Sequence, residues 1–293
     1  MPTFRPTPIA SLALGLALAA QTPVAAQQYR DGMAIERTAP GEPSYADLVA
    51  LADAAPLVLR ARVTKQATVD PERAPDVAPG YARVYIEADT QALIAGTMPI
   101  GESLRYVVDM PRDAKGKVPK IKKQDVLLFA RPVTGRPGAI QLVAPDAQLP
   151  WSAPLEARLR IILAELLAAD APPVITGVRD ALSVAGTLSG ESETQLFLAT
   201  RSGDPASITV VRRPGMAPRW GVSFSELVDQ AAAPPQSGTL AWYRLACALP
   251  DRLPDDVNLS SDPQDRIRAA QDYAIVREDL GACTYTRTPP PAS

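Results

Sequence analysis

The chain has 293 residues with 30 basic and 32 acidic side chains, a formal net charge of −2, and not one histidine. Without imidazole, a Ser-His-Asp or Cys-His site, a histidine general base and every histidine-containing zinc site are excluded. Charges of both signs are spread along the chain, and nothing in them points to global steering toward nucleic acid, while 31 prolines and 5% aromatics predict many irregular connections between modest cores.

Residues 1–26 divide into a short segment ending near Arg5, an apolar run from Ile9 to Ala20, and small residues at Val24-Ala25-Ala26. This is the pattern of a cleavable secretory signal. As a helix the run rises only about 18 Å against roughly 30 Å of bilayer hydrocarbon, so it is too short to span. The competing reading is an amphipathic first helix of the fold. Cleavage after Ala26 leaves 267 residues beginning at Gln27 with net charge −3, since Arg5 is lost, and no later apolar stretch has membrane-spanning length. The expected location is periplasmic or secreted. Residues 27–43 read as a flexible leader, with Gly32, Pro40, Gly41 and Pro43.

Ser44 three residues before Asp47 gives a capping-box start to a short helix that stops at Pro56. Strands follow where apolar residues alternate: Leu57, Leu59, Ala61 and Val63; then Ala82, Val84, Ile86 and Ala88; then Leu104, Tyr106, Val108 and Met110. The apolar run Val126 to Ala130 and the segment Ala139 to Val143, after the Gly135 to Gly138 turn, complete five strands. Five short strands and a helix predict a small β-barrel over residues 44–148.

The order Asp47-Leu48-Val49, Ala52-Asp53, Leu57-Val58-Leu59, then Gln91-Ala92-Leu93-Ile94-Ala95-Gly96, Gly101-Glu102 and Gln124-Asp125-Val126-Leu127-Leu128-Phe129 resembles the OB-like or netrin-like barrels of exported bacterial proteins. The resemblance covers residues 44–145 and implies a fold; such barrels host unrelated activities. The cysteines of the inhibitory netrin-type members have no counterpart in this stretch.

Pro145, Pro150 and Pro154 mark a boundary, so residues 149–287 are expected to form a second, α+β domain. Its first helix starts at Ser152 and Pro154, runs through Ala169 with a stripe of Leu155, Leu159, Ile162, Leu163 and Leu166, and ends at Pro172-Pro173. Val178 to Val184 reads as a short helix. Glu193 to Thr200, Ala206 to Arg213 and Arg219 to Phe224 read as a three-strand antiparallel meander. Ser223 with Glu226 predicts a capped helix through Ala233, Thr239 to Leu249 another, and Asp262, Pro263, Asp265 and Gly281 delimit a long one. The tail from Thr286, with Pro289 to Pro291, reads as loose, and residues 288–293 as disordered. The fold class is therefore α+β.

Cys247 and Cys283 are an even pair, which in an oxidising compartment is most simply a disulfide, with two buried free thiols as the alternative. Lys115, Lys117, Lys120, Lys122 and Lys123 form a basic run able to touch anionic lipid headgroups or envelope polysaccharide, or else a solvated loop guarding a sheet edge. No aromatic is interleaved, so nucleic-acid stacking is not expected. Arg212, Arg213, Arg219 and Trp220 surround a Pro214-Gly215 turn, suited to gripping a carboxylate, phosphate or sugar, or else ordinary surface arginines beside an inward tryptophan. Glu191 and Glu193 invite comparison with a glycosidase pair, yet neighbouring residues rarely oppose each other across a substrate. Asp251, Asp255, Asp256 and Asp262 lack the ligand alternation and central glycine of a calcium loop.

No glycine-rich phosphate cradle, nucleophile elbow or Ser-x-x-Lys arrangement occurs, and no cofactor is expected. The leading expectation is a non-catalytic envelope binding or accessory protein contacting another envelope protein or polymer. The alternatives are a histidine-free hydrolase of envelope polymers acting through carboxylates, and an inhibitor or modulator of an exported enzyme. Oligomeric state is not set by these features.

Overall fold

The computed structural model describes residues 42–98, 100–225 and 233–288. The signal segment 1–26, the leader up to residue 41, most of the expected Ser223–Ala233 helix with Glu226, and residues 289–293 of the tail lie outside the described residues.

Helix α1 (Tyr45–Ala54) opens as its capping box dictates: the Ser44 hydroxyl accepts from the Asp47 amide and the Asp47 carboxylate accepts from the Ser44 amide. It feeds β1 (Leu57–Thr68), which sits between β2 (Tyr81–Ala95) and β4 (Asp125–Pro132). Beyond β2 lies β3 (Ser103–Pro111). The far edge of β4 is shared by two short strands, β5 (Ile140–Leu142) on Ala130–Pro132 and β6 (Gln148–Pro150) on Val126–Leu128. All of these ladders are antiparallel, and three register shifts along β1 and β2 bend the sheet.

The expected barrel is corrected by this pairing: the sheet is not closed into one. Between β3 and the β5 side there is no ladder, only one parallel bridge at Arg105 and Ala139 and the bonds Arg105 N–H to Gly138 O (2.8 Å) and Asp109 N–H to Pro145 O (2.7 Å). With three residues, β5 is too short to form a continuous seam.

Helix α2 (Ala153–Leu166), capped by Ser152, lays Leu155, Leu159, Ile162 and Leu163 on the same core as α1 and the first sheet. The helix expected to start the second domain therefore belongs to the first core. Leu240 from the C-terminal half also enters that core, and the described residues form one compact unit.

The second sheet has the order β10-β9-β8-β7, built from β7 (Ile175–Ala185), β8 (Ser192–Thr200), β9 (Ser207–Arg212) and β10 (Arg219–Ser223). The meander thus has four strands, and the helix expected over Val178–Val184 is a strand. Apolar residues on both faces hid it: Ala181 is buried, while Leu182 and Val184 are exposed. Two register shifts against β8 break the period further. The outer edge of β7 is covered by residues 258–260, through the Ala181–Asn258 bridge and the Leu259 amide bonded to Ala181 O.

Helices α3 (Leu240–Ala246, capped by Thr239) and α4 (Pro263–Leu280, capped by Asp262 and ended by Gly281) complete the second core around Trp242, Leu245, Tyr273 and Val276. Their C-terminal ends are joined by the Cys247–Cys283 disulfide, with Cα atoms 5.1 Å apart. No helix among the described residues is long and apolar enough to cross a membrane.

Candidate functional site: a lysine loop and a polar pocket

Between β3 and β4, residues 112–123 carry six cations against the single carboxylate of Asp113, a local net charge of +5 on a chain of net −2. All five lysines are exposed, and none is in an ion pair among the described residues. The loop is nevertheless pinned. Asp113 Oδ1 accepts from the amides of Lys115 (2.9 Å) and Lys117 (2.8 Å), and Arg112 donates to Gly116 O (2.9 Å). Gln66 reaches across from β1, donating to Pro119 O (2.8 Å) and accepting from the Ile121 amide (3.0 Å). Val118 and Ile121 pack inward on the first core, which leaves the ammonium groups as what the loop presents outward. Held this way, the loop backbone loses little freedom on meeting an anionic partner, while the lysine stems stay free to adjust.

The Arg212, Arg213, Arg219 and Trp220 constellation is split. Arg213 and Arg219 are exposed at the turn. Trp220 is 5% exposed, packs in the second core and donates its indole N–H to Asp279 (2.7 Å). Arg212 turns toward α4, where Asp272 Oδ1 accepts from its Nε at 2.7 Å and from its Nη2 at 2.6 Å.

Asp272 is fully buried, and its other oxygen accepts from Thr194 Oγ1. A carboxylate only accepts, so Thr194 spends its one proton there, and the 2.9 Å contact with Ser183 takes its proton from the Ser183 hydroxyl. Ser183 N–H in turn donates to Ser260 Oγ (2.9 Å), so a polar seam runs between the second sheet and the segment leading into α4.

Beside that seam the β7–β8 hairpin and α4 flank an open cleft of about 520 Å³, within the range of small-molecule sites. Its polar lining is Glu191, Ser192, Arg212, Arg268 and Gln271, with the loop Gly186–Gly190 as one wall. Glu191 Oε2 accepts from the Leu188 amide (3.3 Å), and its side chain folds so closely over Gly186 that a Cβ there would meet Glu191 Cγ at 2.4 Å. Arg268 is held by Asp265 one turn back. Ser192 is 4% exposed, and its Oγ is buried without a hydrogen-bond partner.

Glu193, on β8, faces away from this pocket's lining and takes a bond from Gln195 (2.6 Å), so the two glutamates do not converge. The four aspartates of the 251–262 loop serve separately: Asp262 caps α4, the Asp255 carbonyl receives Arg266 (3.0 Å), Asp251 lies 3.5 Å from Arg277 and Asp256 is exposed. No group of three acidic or cysteine side chains is placed to hold a metal ion among the described residues.

Arg268, Gln271 and Ser192 escaped the sequence reading because the pocket joins positions far apart in the chain. One signal was present: Asp272 sits in the apolar stripe Ala269, Tyr273, Val276, and Thr194 on the inward alternation of Leu196 and Leu198. Two polar residues on facing apolar surfaces imply a buried pair.

No protein-family model matches the chain, and no curated protein is significantly similar to it.

Proposed function

We propose that this protein is exported and works by contact, as an envelope binding or accessory protein whose lysine loop faces an anionic surface of the cell envelope. The observation that carries this reading is the segregation of charge: a pinned +5 loop, all five of its lysines exposed, on an otherwise acidic chain. Uniformly interspersed charge gives solubility, whereas a single-sign knob creates a local field that captures and orients a polyanion. The Cys247–Cys283 disulfide fits an oxidising compartment, and the signal pattern of residues 1–26 supports export. The strand order of the first sheet and its one parallel bridge favour a partly open, OB-like arrangement in which the lysine loop joins β3 to β4.

The testing experiment is co-sedimentation of the purified protein with phosphatidylcholine vesicles, with vesicles containing phosphatidylglycerol, and with peptidoglycan sacculi. Binding to either anionic material, lost when the five lysines become glutamine, supports the proposal. Indifference to all three overturns it, and release of soluble fragments from the sacculi would favour a hydrolase instead.

A further inference from the structure

We infer that the pocket between the β7–β8 hairpin and α4 binds a small zwitterion, an amino acid or the termini of a short peptide. The carboxylate meets Arg212 and Arg268, and the ammonium meets Glu191. This site is separate from the lysine loop and stands or falls independently of it.

Two guanidiniums line the pocket, each fixed along part of its donor fork by a carboxylate of the protein, Arg212 by Asp272 and Arg268 by Asp265. Their remaining N–H groups have no partner among the described residues, and paired guanidinium donors match the planar oxygens of a carboxylate. The lining itself carries two guanidiniums and one carboxylate, and with Asp272 and Asp265 counted behind the two arginines the charges sum to two positive against three negative. That balance disfavours a phosphate or a simple dianion and selects a ligand that brings its own cation.

The third element is Ser192. Its hydroxyl is buried and unpartnered on β8, directly across the ladder from Arg212. Buried hydroxyls are normally satisfied, and this orphan lies just behind the pocket wall, where a bound polar group or water would complete it after a small side-chain shift. Gln271, exposed on α4, adds an amide that can donate or accept at the rim. An open cleft of about 520 Å³ has room for a dipeptide and for solvent.

The test is calorimetric titration of the intact protein with alanyl-alanine, its N-acetyl form and its C-terminal amide. Saturable binding of the free dipeptide, weakened at least tenfold by either cap, is the expected result. Arg268→Ala should reduce affinity tenfold or more, and Glu191→Gln should reduce it for the free dipeptide while narrowing the gap to the acetylated form. These two positions are used because Arg212→Ala would strand the buried Asp272 and disturb folding. Equal binding of capped and free forms overturns the proposal, as does no binding by a wild-type protein whose thermal unfolding is cooperative. Either result leaves vesicle and sacculus binding untouched.

Discussion

Asp47, in the first turn of α1, and Thr286, near the other end of the chain, are hydrogen-bonded twice: Asp47 Oδ2 accepts from the Thr286 amide at 3.1 Å and from its hydroxyl at 2.6 Å. The Arg287 amide donates to the second oxygen (3.2 Å), and its guanidinium reaches Asp146 (2.7 Å). One buried carboxylate thus caps a helix and fastens the C-terminal segment to the first core. Asp47→Ala removes both duties and should destabilise the protein by about 2–4 kcal/mol, since a lost cap costs about 1 kcal/mol and hydrogen bonds to a charged group more. Thr286→Ala should cost about 1 kcal/mol. Urea denaturation of the two variants checks the ordering, and equal effects would contradict it.

Cys283 precedes this fastening by a few residues and is itself tied to Cys247 across a separation of 36. Replacing both cysteines by serine should cost at most about 4 kcal/mol on the loop-entropy relation. Hydrogen exchange gives the finer check: the amides of Thr286 and Arg287 should exchange faster in the serine variant while those of β1 and β4 stay protected.

Arg212, whose side chain is 26% exposed, pairs with the fully buried Asp272, so removing either member leaves a charge uncompensated at the edge of the second core. Asp272→Ala should therefore destabilise, by less than the roughly 3–5 kcal/mol of a pair buried on both sides because Arg212 keeps some access to water, and replacing both residues by leucine should cost less than that single change. Chemical denaturation of the single and double variants decides it. A double replacement that is worse than Asp272→Ala would show that the pair matters for more than charge compensation.

Glu156 is held below the usual carboxylate range, chiefly by the hydrogen bond from the Trp151 indole (2.6 Å), then by Arg160 and Arg60, with partial burial opposing. A carboxylate whose folded pKa is depressed contributes stability above its unfolded value, about 4.3, and loses it as pH falls through the lower folded value. Stability should accordingly fall with acid below about pH 4.3, and Glu156→Gln should flatten part of that limb. Denaturation midpoints followed across this acid range provide the measurement.

Local rules were sufficient where a local bond decides the structure. Ser44 and Asp47, Thr239, and Asp262 placed the starts of three helices to the residue and Gly281 the end of the last, while strict alternation located β1 to β3 but not the full length of β1 and β2. They failed where the determinant is remote. Val178 to Val184 is a strand because β8 and residues 258–260 pair with its two edges, which no local pattern reports. Closure of the first sheet depends on how far β5 extends, and three residues do not form a ladder with β3. The site was divided the same way. The lysine loop is contiguous and could be read directly, and Arg212 and Glu191 were singled out individually, but their meeting with Arg268 and Gln271 is a product of α4 docking on the second sheet.

The central claim is that the lysine loop is a contact surface, and salt dependence tests it most directly. The Debye length shrinks from about 10 Å at 0.1 M to about 3 Å at 1 M salt, so binding to an anionic envelope surface should weaken steeply over that range. Affinity for phosphatidylglycerol-containing vesicles or sacculi, measured against salt for the wild type and for the variant with all five lysines changed to glutamine, should give a steep line for the first and a weak, nearly flat one for the second. Two superimposable lines would contradict the account.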